Sequence, residues 1–197
     1  VYFQSRKVNI KNMALVGFGF GLLFFGLKMT SAGAHHFAAQ PWFIDFFKEV
    51  RDNPAYSLLF SMMFCGLVQS SALTIGLAMT LASANVISVH DSILWVFGAN
   101  IGTTFTAILA ATGSNYVGKQ VAWAHFFYKT LSVLLFYPFT DFFINFIQQY
   151  DTTTARMIAN SHLVFNIFSS IIFFPFINKA ASVIEGFFPK NPEDEFG

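Results

Sequence analysis

Apolar and polar positions fall into long apolar runs separated by short polar seams. The first run, residues 13–34, is long enough to cross a bilayer, for which about twenty apolar residues are needed. Arg6, Lys7 and Lys11 precede it, and Gly17, Gly19, Gly21 and Gly26 lie within it. Glycines on a membrane helix let another backbone approach closely. Over residues 35–53, Trp42, Phe43, Phe46 and Phe47 share a helical pattern with Asp45, Lys48, Glu49, Arg51 and Asp52, which predicts an interfacial helix. Asn53-Pro54 is a helix-start signal. Across residues 54–84, two apolar segments flank the polar triplet Gln69-Ser70-Ser71, and each is too short to span. This pattern predicts a re-entrant hairpin whose backbone opens at the triplet, an arrangement tolerated at membrane depth only where protein or a cavity surrounds it.

After a polar connector at residues 85–91, a further span covers 92–111. It is interrupted by Gly98-Ala99-Asn100-Ile101-Gly102-Thr103-Thr104. Two glycines bracketing an asparagine are poor helix formers, and an unwound stretch is predicted there. The last spans cover 120–149 and 155–188, before a polar tail at 189–197. These two repeat each other: Ala122-Trp123-Ala124-His125 aligns with Ala159-Asn160-Ser161-His162, and at the same offset Ser132 meets Ser169, Phe136 meets Phe173 and Pro138 meets Pro175. Each proline predicts a kink or the point where its helix leaves the core.

Composition makes lipid the expected solvent. Charged residues are 11% of the chain and hydrophobic ones 55%, with 28 Phe, whereas soluble domains carry about 25% charged residues. A net charge of +1 argues against a nucleic-acid partner. The single Cys65 cannot form an internal disulfide and gives no redox signal. Val1-Tyr2-Phe3-Gln4-Ser5 reads as a tag remnant, and the first apolar run lacks a convincing signal-peptide cleavage site. With a re-entrant hairpin, Arg6, Lys7, Lys11, Lys119 and Lys190 share one side and Lys48, Arg51 and Arg156 the other, a modest bias toward a cytoplasmic N-terminus.

Two polar breaks in one small membrane chain point to a binding site. A half-helix N-terminus offers free N–H groups and partial positive charge, which suit an anion. A half-helix C-terminus and unwound backbone offer carbonyl oxygens, which suit Na⁺. Ser70, Ser71, Thr74, Thr103, Thr104 and Thr106 add hydroxyls for either ion, and Gln69 and Asn100 each supply a donor and an acceptor. Neither break contains Arg or Lys, and no Gly-x-x-x-x-Gly-Lys loop is present. Positive charge for an anion would then come from co-bound cations and helix ends, a physical reason for coupling. Lys129, inside a span and aligned with Asn166 in the repeat, is either a fixed counter-charge or a snorkelling or interface lysine. Lys28, near a helix end, is read as snorkelling, and His125 and His162 as hydrogen-bonded interfacial residues.

Gln69-Ser70-Ser71 followed by the glycine–asparagine heptapeptide resembles the type II sodium–phosphate cotransporter family and its bacterial relatives. The repeated Ala-x-x-His helices with a late proline are similar to the part that follows this motif, and the resemblance covers most of residues 13–188. It implies an all-α polytopic membrane protein holding a single transporter repeat, with a re-entrant helical hairpin and an unwound transmembrane helix, in a bacterial inner membrane. It implies Na⁺-coupled phosphate symport by alternating access, with inorganic phosphate and Na⁺ as partners and no cofactor beyond Na⁺ as coupling ion. By the resemblance, Gln69, Ser70 and Ser71 are the site residues, with Asn100, Thr103 and Thr104 nearby; joined to the reading of the polar residues, this assigns Gln69, Ser70, Ser71, Asn100, Thr103 and Thr104 to phosphate and Gln69, Ser70, Ser71, Thr74, Asn100 and Thr103 to sodium. Two departures stand out: the signature's third serine is Ala72, and the signature occurs once rather than twice. The second half would be a separate chain, a missing portion, or an antiparallel second copy. Two other classes stay open. One is a non-transporting scaffold or regulatory half that needs a partner chain. The other, an intramembrane serine hydrolase pairing Ser70 or Ser71 with His125 or His162, lacks a Gly-x-Ser-Gly-like nucleophile context, and no enzyme is expected.

Overall fold

The computed structural model describes residues 7–51, 53–150 and 153–190. Residues 1–5, read above as a tag remnant, and Arg6, Asp52, Asp151, Thr152 and residues 191–197 lie outside them. Among the described residues all regular structure is helical: α1 Val8–Ala38, α2 Pro41–Arg51, α3 Pro54–Val68, α4 Ser71–Ser83, α5 Val89–Gly102, α6 Thr104–Ala111, α7 Tyr116–Phe136, α8 Thr140–Gln148, α9 Thr154–Phe173 and α10 Ile177–Phe187. Four stretches are long and apolar enough to cross a membrane: Val8–Gly33, Val89–Ala111, Tyr116–Gln148 and Thr154–Phe187. The segment at residues 35–53 is not one helix, because α1 runs on through Ala38 and α2 starts at Pro41. Proline is favoured in a first helical turn, where its missing N–H costs nothing. α2 docks through Phe47, which is 2% exposed and packs on Phe60 of α3 and Trp95 of α5.

α3 starts at Asn53, whose side chain accepts from the Ala55 N–H at 3.0 Å, with Pro54 in the first turn. α5 starts at a capping box: Ser88 Oγ accepts from the Asp91 N–H at 3.0 Å, and the Asp91 carboxylate accepts from the Ser88 N–H at 3.1 Å. Asp91 also accepts from Ser57 Oγ of α3 at 3.2 Å, which ties the two helix starts together. Farther along, Cys65 of α3 meets Ala99 of α5, and Gly66 meets Gly102 and Phe105. The contacts advance together along both sequences, so α3 and α5 run parallel and in direct contact, and α4 returns alongside them. At about 1.5 Å per residue, Val89–Ala111 measures about 34 Å and Gly102 lies about 20 Å along it. α3 therefore turns back short of the far end, and α4 ends near the start of α5.

The remaining helices close the bundle. α1 runs parallel to α4, joined by Leu27 against Gly76 and by Ser31 Oγ to Thr80 Oγ1 at 3.1 Å. α7 and α9 run antiparallel, with Tyr128 Oη 3.2 Å from Ser170 Oγ toward one end and Phe136 packed on Phe165 at the other, and just past α10 the Phe188 carbonyl accepts from the Gln120 side chain at 2.7 Å. The internal repeat reappears in their shape. α7 passes into α8 through a 3-10 turn at Tyr137–Phe139, and α9 into α10 through one at Phe174–Phe176, each centred on its proline. A ring that fixes φ and lacks an N–H breaks both helices at the same offset. The core lies around α5, where Ile93, Leu94, Trp95, Val96, Phe97 and Ala99 are all buried.

Candidate functional site

The hairpin tip is built by two residues. Gln69 takes the left-handed conformation, φ 59 and ψ 28, and its N–H closes onto the Cys65 carbonyl at 2.7 Å, which ends α3. Ser70 is extended, φ −143 and ψ 106, and caps α4: its Oγ accepts from the Leu73 N–H at 3.2 Å. The Ser70 carbonyl takes the Thr74 N–H at 3.1 Å and the Thr74 hydroxyl at 2.9 Å. The chain thus passes from the carbonyl end of one short helix to the amide end of the next with no intervening loop. The first-turn amides of Ser71 and Ala72 precede any intrahelical bond. Gln69 is exposed, and Ser70 and Ser71 are half-buried.

The glycine–asparagine segment differs from the expectation. Backbone from Gly98 to Gly102 stays helical, and the interruption is confined to Thr103, itself near helical geometry at φ −61 and ψ −21. The physical reason lies on α3. A Cβ on Gly98 would stand 2.3 Å from the Leu58 carbonyl oxygen and 2.9 Å from the Met62 nitrogen. One on Gly102 would stand 2.4 Å from the Met62 carbonyl oxygen and 2.8 Å from Cys65 Cβ. Both glycines serve close approach of two helix backbones, the small-residue packing of membrane helices. Cys65 Sγ donates to the Ala99 carbonyl at 3.3 Å across the same seam, and sequence reasoning missed this role.

The predicted site residues divide into two groups. Gln69, Ser70 and Ser71 occupy the accessible tip. Asn100 is 4% exposed, and Thr74 and Thr104 are completely buried. Thr103, Thr104 and Thr106 donate their hydroxyl hydrogens to carbonyls three residues back, at 2.9, 2.6 and 2.9 Å. Their donors are therefore committed to their own helix. The groups adjoin through Cys65: its carbonyl receives the Gln69 N–H, and its sulfur touches Ala99 beside Asn100. Among the described residues no hydrogen bond joins Gln69, Ser70 or Ser71 to Asn100, Thr103 or Thr104.

Asn100 instead faces Lys129. Its Nδ2 donates to the Val96 carbonyl at 2.8 Å, and its Oδ1 accepts from Lys129 Nζ at 2.9 Å. Lys129 also donates to Asn166 Oδ1, so the repeat-equivalent positions 129 and 166 meet across the α7–α9 contact. Ser70 and Ser71 make no hydrogen bond with His125 or His162, and no group of three metal-ligating side chains occurs, both among the described residues. Two surface hollows of about 500 and 520 Å³ are almost wholly apolar. One lies between α7–α8 and α9, lined by Phe136, Phe139, Phe143 and Phe168; the other lies beside the tip, lined by Gly66, Leu67, Phe105 and Trp123. None of the predicted site residues lines either one.

The family described as Na⁺/Pi-cotransporter matches residues 22–168. The uncharacterized protein YqeW of Bacillus subtilis is 29% identical over 160 residues, covering 81% of this chain and 52% of that protein. The putative inorganic phosphate export protein YjbB of Salmonella typhimurium is 23% identical over 159 residues, covering 80% of this chain and 29% of that protein. Sodium-dependent phosphate transport protein 2B of Bos taurus is 41% identical over 76 residues, 36% of this chain and 11% of that protein. The chain thus spans about half the length of YqeW and less of the other two. No solved structure matches it. The four apolar spans make this an integral membrane protein, and because the family match takes in α3 to α8 entire, with the polar tip, the chain belongs to the Na⁺/Pi-cotransporter family.

Proposed function

We propose that the chain forms half of a carrier that moves inorganic phosphate with Na⁺ by alternating access, the other half coming from a second copy in the inverted orientation or from a complementary chain. The observation that carries this reading is the Gln69–Ser70 junction, where the carbonyl end of α3 meets the amide end of α4 partway along the neighbouring span. Amides at a helix start suit a phosphate. Carbonyls at a helix end, with the side chains of Gln69 and Ser70, suit Na⁺. Ser71 extends the tip, while Asn100 and Thr103 stand on the α5 side, and Thr74 and Thr104 support the site from within the protein. In a bilayer the α3–α4 pair is a re-entrant hairpin. The exposure of Gln69 and the apolar lining of both hollows favour a site completed by a partner.

The test is phosphate uptake by proteoliposomes containing this chain alone under an inward Na⁺ gradient. Uptake that requires Na⁺ and is lost in Ser70→Ala supports the reading. Correctly folded protein that takes up none fits a scaffold or regulatory half and sinks the self-sufficient carrier. The name of YjbB favours a second reading, export. Vesicles loaded with phosphate and free of Na⁺ on both sides test it: phosphate efflux under those conditions would select an exporter over a Na⁺ symporter.

A further inference from the structure

The Lys129 ammonium stands among neutral oxygens. Asn100 Oδ1 accepts from it at 2.9 Å, and Asn166 Oδ1 accepts a second bond. Both amides are aimed by their own nitrogens, Asn100 Nδ2 onto the Val96 carbonyl and Asn166 Nδ2 onto the His162 carbonyl, each at 2.8 Å. With the nitrogens engaged, the two oxygens converge on one point between α5, α7 and α9. Converging uncharged oxygens are the donor set that desolvates an alkali cation. Among the described residues no carboxylate pairs with Lys129, so the cluster holds one uncompensated positive charge within a membrane span. Such a charge is costly unless something anionic completes it. The internal repeat sharpens the point, since the position equivalent to Lys129 carries Asn166, a neutral amide.

We propose that Lys129 is a tethered cation: its ammonium fills an oxygen-lined cation position at the α5–α7–α9 junction and supplies the transported anion with a fixed positive charge in place of one coupling Na⁺. The inference rests on the reading of the chain as a Na⁺-coupled anion carrier. It reconciles the absence of Arg and Lys from both polar breaks with the need for positive charge, because the lysine arrives from a different helix. It also gives Asn100 a role apart from direct anion contact, as the oxygen that holds the ammonium to α5.

The test counts sodium. Lys129→Asn restores an amide at that position, and the purified full chain should then bind one more ²²Na⁺ at saturation than the wild type, with a steeper Na⁺ dependence of phosphate uptake. Asn166→Asp keeps the lysine but sets a carboxylate against it. At saturating Na⁺ its phosphate affinity should fall by about fivefold or more, the range of an ordinary coupling energy. An unchanged ²²Na⁺ count in folded Lys129→Asn overturns the proposal. If Lys129→Asn does not fold, unchanged phosphate affinity in Asn166→Asp overturns it. Failure of the carrier reading looks different: the wild type would show no Na⁺-dependent uptake, whereas the gain of a bound ²²Na⁺ in Lys129→Asn would still support the tethered cation.

Discussion

Gly98→Ala tests the meaning of the glycine–asparagine segment, because the two accounts of it predict opposite signs. If the glycines unwind a helix, alanine should stabilise it by about 0.5–1 kcal/mol, the usual propensity difference. The structure predicts destabilisation. The new Cβ would lie 1.9 Å from Ser61 Oγ and 2.3 Å from the Leu58 carbonyl oxygen. The serine hydroxyl can rotate away, but the carbonyl belongs to the α3 backbone. Reaching an ordinary contact of about 3.5 Å requires α3 to retreat by about 1 Å, which forfeits a quarter to a half of the dispersion at each contact along the seam. Overpacking of this kind costs about 1–3 kcal/mol. After the propensity gain is subtracted, a net loss of up to about 2.5 kcal/mol remains, with a midpoint of about 1 kcal/mol worth about 2–4 °C in a chain of this size. The assay is thermal unfolding of the full chain in detergent, with Gly19→Ala as control, since a Cβ there meets nothing within 4 Å. A Gly98→Ala variant that melts at or above the wild-type temperature refutes the close-contact account.

Gln69→Gly separates backbone from side chain. Glycine adopts φ 59 freely, so the variant should keep or gain up to about 1 kcal/mol of stability while losing Na⁺-dependent phosphate uptake; retained uptake would remove the side chain from the site. Asp91→Ala leaves the Ser57 hydroxyl and the Ser88 N–H without their carboxylate, and a loss of about 2–3 kcal/mol is expected in the same melting assay.

The hairpin tip was legible in the sequence because Gln69-Ser70-Ser71 interrupts apolar segments too short to span, and lipid tolerates such an interruption in few ways. The two late prolines were legible because their ring acts locally. Gly98 and Gly102 were misread because a glycine in a span has two uses, breaking its own helix or admitting another. Only the neighbour decides, and here it is the α3 backbone at Leu58 and Met62. Thr103 and Thr104 were identified as hydroxyl donors, but a threonine that turns its hydroxyl onto its own helix has the same sequence as one that offers it to a cavity. The sequence placed Lys129 inside a span and aligned it with Asn166. It contained nothing to say that α7 and α9 pack antiparallel with these two positions facing each other.

The seam between α3 and α5 has a mechanical consequence. Surfaces that interlock at the level of their main chains, as at Gly98, Gly102 and Gly66, do not slide past one another without first separating. The tip is therefore not a flap that swings on its own: displacing Gln69 carries α5 with it as a single rigid lever. The load of such a stroke falls on the bonds that lash α5 to the outer helices, foremost the ammonium gripping Asn100. A motion that opens the tip to one side of the membrane would register first as a slackening of that grip.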